Sequence, residues 1–136
     1  MNTITPTILA LSTYGYPIHN SCYNQDYLPA GIITCLSISS LLVQLSKKVD
    51  NSNSEVISLK HASKLRLVNG LLFLSLVGYN ASQYYYKNSI PHLVIAFFSL
   101  ASTYFNFTNL KRLAPSNFYI VHTIMNFLVS LPFYFI

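Results

Sequence analysis

Formal charge is missing from four long stretches of this 136-residue chain: Tyr27 to Ser46, Leu67 to Tyr86, Asn88 to Leu110 and Leu113 to Ile136, of 20, 20, 23 and 24 residues. A helix rises about 1.5 Å per residue and the hydrocarbon core of a bilayer is about 30 Å thick, so roughly 20 apolar residues cross it. Each stretch is long enough. Backbone groups in lipid must bond to one another, and these stretches lack the strict alternation of a barrel strand, so helices are the expected form. A soluble bundle with cores this apolar needs polar outer helices to shield them, and only one polar segment, 47–66, is present. The sequence therefore predicts an all-α integral membrane four-helix bundle of antiparallel up-down topology. It forms one domain over residues 1–136, with spans at about 27–46, 67–86, 90–110 and 114–135 and a short N-terminal interfacial segment, 1–25.

The charge that does occur is concentrated. Only 8% of residues are charged, against about 25% in a soluble domain. Seven of the eleven charged side chains, Lys47, Lys48, Asp50, Glu55, Lys60, Lys64 and Arg66, fall in the first connection. Lys87 lies in the second connection, and Lys111 and Arg112 in the third. Cytoplasmic loops are enriched in Lys and Arg. With alternating spans, the first and third connections share a side and hold seven of the eight basic residues, which predicts a cytosolic loop at 47–66 and both termini lumenal. The basic loop residues Lys47, Lys48, Lys60, Lys64 and Arg66 also suit anionic lipid headgroups, at about 1 kcal/mol each. A net charge of +5 does not imply nucleic acid, because the basic side chains sit at the ends of apolar spans and not beside groove-reading or base-stacking elements.

Residues 1–25 contain no Lys or Arg, and their apolar run from Ile8 to Leu11 is flanked by Pro6, Gly15 and Pro17, unlike a secretory signal. They are expected to lie along the lumenal interface with Tyr14, Tyr16, Tyr23 and Tyr27 at headgroup depth, a short re-entrant helix being the alternative. Tyr84, Tyr85, Tyr86, Phe133, Tyr134 and Phe135 read as an aromatic belt on the same side. The short "KNSIP" connection, Lys87 to Pro91, makes spans two and three a tight hairpin, with Pro91 in the first helical turn where its missing N–H costs little.

Polar residues inside the spans follow helical spacing. Ser99, Ser102, Asn106 and Asn109 share one face of span three, and His122, Asn126 and Ser130 share one face of span four. Two readings are open. As structure, the stripes face each other and specify packing, since interhelical hydrogen bonds in bilayers average about 0.6 kcal/mol. As function, His122 with Asn106 and Asn126 forms a relay or polar pocket for a small transporter or membrane enzyme. The absence of any carboxylate within a span to share the proton favours the structural reading. Small residues at spacing four, Gly31, Cys35 and Ser39 in span one and Gly78 and Ser82 in span two, make helix-packing or partner faces.

No catalytic constellation is visible. Asp26, Asp50 and Glu55 are the only carboxylates and do not pair. His19, His61, His92 and His122 occupy separate regions without metal-binding spacing, and no phosphate loop or activated nucleophile occurs. The expectation is no enzyme, no cofactor and no metal. Cys22 and Cys35 are not expected to bridge, and the sequons at Asn80 and Asn106 fall within spans, beyond reach of the modifying enzyme.

In the order of its parts the chain resembles the small four-span endoplasmic-reticulum scaffold proteins of ergosterol biosynthesis. The resemblance is carried by "YLPAGIITCLSISS" at Tyr27 to Ser40, "SLKHASKLR" at Ser58 to Arg66 and "NSIPHL" at Asn88 to Leu93, over about residues 27–130. Where that family has Ala-Arg-Thr before span two, this chain has Ala62, Ser63 and Lys64. Where the family has His-Phe followed by Glu in span three, this chain has Asn106, Phe107 and then Leu110. No functional residue is carried over. The resemblance implies a non-catalytic tether that gathers sterol-modifying enzymes at the endoplasmic reticulum. Its partners would be membrane lipids and other integral membrane proteins.

Overall fold

The computed structural model describes residues 8, 12–45, 59–108 and 116–136. Among them the chain is all-α, with helices α1 (Gly15–Tyr23), α2 (Tyr27–Leu45), α3 (Leu59–Lys87), α4 (Ile90–Thr108) and α5 (Ser116–Ser130), then a 3-10 helix, Leu131–Phe135. Of the described helices, α4 alone is both long and apolar enough to count as a clear membrane-span candidate. The apolar segments Tyr27–Val43 and Ile120–Phe135 are shorter.

Helix boundaries depart from the charge-free stretches in two places. Helix α3 begins at Leu59, so the last residues of the expected 47–66 loop are helical. Leu, Lys, Ala and Arg between Leu59 and Arg66 are good helix formers, and absence of charge marks depth rather than the end of a helix. Across 29 residues α3 is about 44 Å long, well beyond a hydrocarbon core. At the other end, α5 stops at Ser130 and tightens into the 3-10 helix. Pro132 has no N–H to give and its ring crowds the carbonyl of residue 128, so the α-helix cannot continue.

Two tight turns make neighbouring helices antiparallel. Asn88 takes a left-handed conformation, φ 50°, and its N–H bonds the carbonyl of Tyr84 at 2.8 Å. That closes α3 with the cap Asn accepts most readily after Gly, and α4 starts two residues on. Gln25, φ 62°, does the same between α1 and α2.

Helix α3 is the centre of the packing. It pairs most extensively with α4 and next with α2, while α1 lies on α2 and the 3-10 helix, and α5 on α4. The expected α3–α4 hairpin is therefore present. The two helices are tightly packed at Gly70, where a Cβ would stand 2.5 Å from Phe107 Cε1 and 3.3 Å from Asn106 Cβ. By contrast, a Cβ at Gly31 or Gly78 meets nothing within 4 Å.

The inner face of α3 reads Arg66, Asn69, Phe73, Leu76 and Asn80, all buried, at alternating spacings of three and four. Around it the interior is layered. One apolar layer joins Tyr14, Ile33, Leu36, Phe73, Leu76, Ile95, Val129 and Phe133, and a smaller one joins Val43, Leu65 and Phe105. Between them lies a polar layer: Ser39, Ser40, Asn69, Ser102, Asn106, His122 and Asn126, all buried. The outside is apolar, with Ile38, Val68, Leu71, Leu74, Phe97, Leu100, Ile120 and Ile124 all exposed.

Candidate functional site

The polar layer is built from four helices. Asn69 of α3 sits at its hub. Its Oδ1 accepts from Ser39 Oγ (2.8 Å) and Ser40 Oγ (3.0 Å) of α2. Its Nδ2 donates to Asn106 Oδ1 of α4 (3.3 Å) and lies 2.9 Å from His122 Nε2 of α5. With the amide as donor, Nε2 is the acceptor and the neutral ring carries its proton on Nδ1. Asn126 Oδ1 accepts from Tyr14 Oη (2.8 Å) and Ser40 Oγ (3.1 Å), and Asn126 Nδ2 donates to the His122 carbonyl at 2.9 Å. Each hydroxyl has one proton, so Ser40 serves Asn69 or Asn126 at any instant. Burial pushes the Tyr14 phenol upward, so it stays an O–H donor.

The sequence-predicted stripe is thus brought together in part. Asn106 and His122 meet through Asn69 and Asn126 joins them through Ser40, while Ser102, Thr103 and Asn106 also bond carbonyls four residues back on their own helix. Ser99 is buried, and its Oγ has no partner among the described residues. Ser130 leaves the layer and lies 2.6 Å from Thr13 Oγ1. Asn109, like Lys47 and Lys48, lies outside the described residues, as does the side chain of Lys60.

Other expectations need correction. Tyr14 is fully buried in the protein and not an exposed interfacial ring, because α1 folds back on the bundle and hands its phenol to Asn126. Its neighbour Tyr16 stacks on Tyr134 at 4.8 Å. Arg66 is not a loop residue but lies buried on the inner face of α3, whereas Lys64 is exposed. Gly31, Cys35 and Ser39 are not one face: the first two are exposed and Ser39 turns inward to Asn69. Gly78 and Ser82 face outward. Cys22 and Cys35 are both free thiols.

Asn69, Ser40, Tyr14 and Asn80 were not legible as site residues. The signal was the run Asn69, Phe73, Leu76, Asn80, whose 4-3-4 spacing places two isolated amides on one face of an apolar helix. Asn80 Oδ1 accepts from His92 Nδ1 at 2.8 Å and Asn80 Nδ2 donates to the Leu76 carbonyl at 2.9 Å, so this sequon is closed inside the protein. Asn106 is buried likewise.

Chemically, the layer is a set of neutral amides, hydroxyls and an imidazole that satisfy one another. It holds no carboxylate, and no group of three His, Cys, Asp or Glu able to hold a metal occurs among the described residues. The chain matches no protein-family model, no curated protein and no solved structure.

Proposed function

We propose that this chain is a non-catalytic, multi-pass membrane protein, a scaffold or accessory subunit that works through its outer surface. The observation that carries the reading is an inverted distribution of polarity. Amides, hydroxyls and imidazoles are buried and mutually bonded, while large aliphatic and aromatic side chains cover the outside of every described long helix. Water would impose the opposite arrangement, because exposed apolar area costs about 25 cal/mol per Å². Lipid reverses the preference and makes internal satisfaction of polar groups the requirement. On this reading α2, α3, α4 and α5 with its 3-10 extension cross the bilayer, and the basic segment 47–66 faces the cytosol.

A closed polar interior leaves little for chemistry, and the open glycines Gly31 and Gly78 leave flat surface on which another helix can pack. The resemblance to sterol-biosynthesis scaffolds narrows the proposal to a tether for sterol-modifying enzymes in the endoplasmic reticulum. Photo-crosslinkers at Leu74 and Gly78 on the outer face test it, against a control at Leu36 inside. Capture of one membrane protein from the outer positions, reduced by Gly78→Leu, is the expected result. A lone, monodisperse protein whose deletion leaves membrane-protein levels unchanged would refute it. Retention in the pellet on alkaline carbonate extraction tests the membrane reading separately.

The second reading, a transporter or enzyme using His122, Asn126 and Asn106, requires His122→Ala to abolish an activity while abundance stays intact.

A further inference from the structure

A second polar feature lies at the opposite end of the bundle from Leu45 and Leu59, where the α1–α2 turn, the end of α3, the start of α4 and the 3-10 helix meet. It is a cleft of about 240 Å³ whose lining includes Asp26, Tyr79, Gln83, Lys87 and His92. Unlike the polar layer, it is not internally satisfied. Gln83 Oε1 is buried and has no hydrogen-bond partner among the described residues. His92 is 7% exposed, and its Nδ1–H is spent on Asn80 Oδ1, leaving the Nε2 lone pair as the ring's remaining polar group. Asp26 and Lys87, opposite in charge, both line the cleft without pairing to each other.

Beside the neutral polar side chains of Asn20, Ser21, Asn24 and Tyr79, the lining offers three acceptors, on Asp26, Gln83 and His92, and one cation, Lys87. A carboxylate, an amide oxygen and an imidazole nitrogen match the three N–H donors of a primary ammonium, and the Lys87 ammonium matches an anion beside it. We propose that this cleft binds a zwitterion with a primary ammonium and a phosphate, the chemistry of ethanolamine phosphate, through Asp26, Gln83 and His92 at the ammonium and Lys87 at the phosphate. At about 30 Å³ per water-sized group the cleft has room for roughly eight, enough for such a head. Exposed Tyr23, Tyr27, Tyr85 and Tyr86 surround the same end, and amphipathic rings favour headgroup depth, which makes a phosphatidylethanolamine lipid one source. Free phosphoethanolamine is the other. Only the lipid source rests on the membrane reading.

The test is a ligand-dependent thermal shift of the full-length protein in detergent, titrated with dioleoyl phosphatidylethanolamine, dioleoyl phosphatidylcholine or soluble phosphoethanolamine. Anything that binds the folded state raises its midpoint. Choline keeps the phosphate but has no N–H, so the ethanolamine lipid is expected to stabilise and the choline lipid not. Asp26→Asn should weaken the ethanolamine response about tenfold, the loss expected for one hydrogen bond to a charged group. Asp26 is exposed and Asn is equally suited to the residue before a helix, so the variant folds. Lys87→Gln should weaken the response as well. A response to the lipid alone identifies the headgroup as ligand, and an equal response to soluble phosphoethanolamine identifies the free solute. Equal stabilisation by both lipids, or an Asp26→Asn protein that responds like wild type, overturns the site. If carbonate releases the protein yet phosphoethanolamine still binds, the site stands and the membrane reading falls.

Discussion

Asn69 Nδ2 lies 2.9 Å from His122 Nε2, across two helices separated by 53 positions in sequence. The amide is buried among four helices and also accepts from both Ser39 and Ser40, so a single side chain fixes the register of α2, α3, α4 and α5. Removing it should cost more than one average bond. Asn69→Leu is expected to destabilise the protein by about 2 kcal/mol, since several partners lose their bonds together at about 0.6 kcal/mol each on average. Unfolding by denaturing detergent, followed by tryptic cleavage, measures it.

The pair itself has a separable contribution. A cycle of Asn69→Ala, His122→Ala and the double variant should show coupling near 0.6 kcal/mol, the double being less harmful than the sum. In cells His122→Ala should lower abundance, read by immunoblot, because it takes the 2.9 Å acceptor from one N–H of the buried Asn69 amide. Undiminished abundance with an altered transport or enzymatic activity would favour the pocket reading.

Glycines should divide into two classes. Gly70→Ala drives a methyl into Phe107 and is expected to destabilise the α3–α4 hairpin, with recovery in Gly70→Ala/Phe107→Ala. Gly31→Ala and Gly78→Ala meet nothing and should leave the fold as stable or stabilise it by about 0.5–1 kcal/mol through helix propensity. Thermal midpoints of the purified variants check both.

Tyr14→Phe removes the phenolic donor from Asn126 Oδ1 and should cost about 1 kcal/mol, loosening the N-terminal segment from the bundle. Limited proteolysis should then cleave near residues 12–26 faster than in the wild type. Thr13 and Tyr134 join the same attachment through the Thr13 carbonyl, which accepts from Tyr134 Oη at 2.9 Å, so Tyr134→Phe should act in the same direction.

The sequons should remain unmodified. Asn80 and Asn106 are enclosed by neighbouring helices, and glycosidase treatment is expected to leave the electrophoretic mobility of protein from a eukaryotic host unchanged.

Sequence alone determined the all-helical form, the tight α3–α4 hairpin and the inward stripe at Ser102, Asn106, His122 and Asn126, because spacing of three and four along one helix is a local property. It marked Gly31 and Gly78 as small residues on helix-packing or partner faces, and left open whether those faces turn inward or outward. What it did not determine was partnership. Asn69 looks like a lone amide in an apolar run, Arg66 like a loop cation and Tyr14 like an interfacial ring, until α2, α4 and α5 close around α3 and α1 folds back. Burial of a side chain depends on which faces of several helices meet. Only the tertiary structure decided that the stripes join through Asn69, and that Asp26, Gln83, Lys87 and His92 line a common cleft.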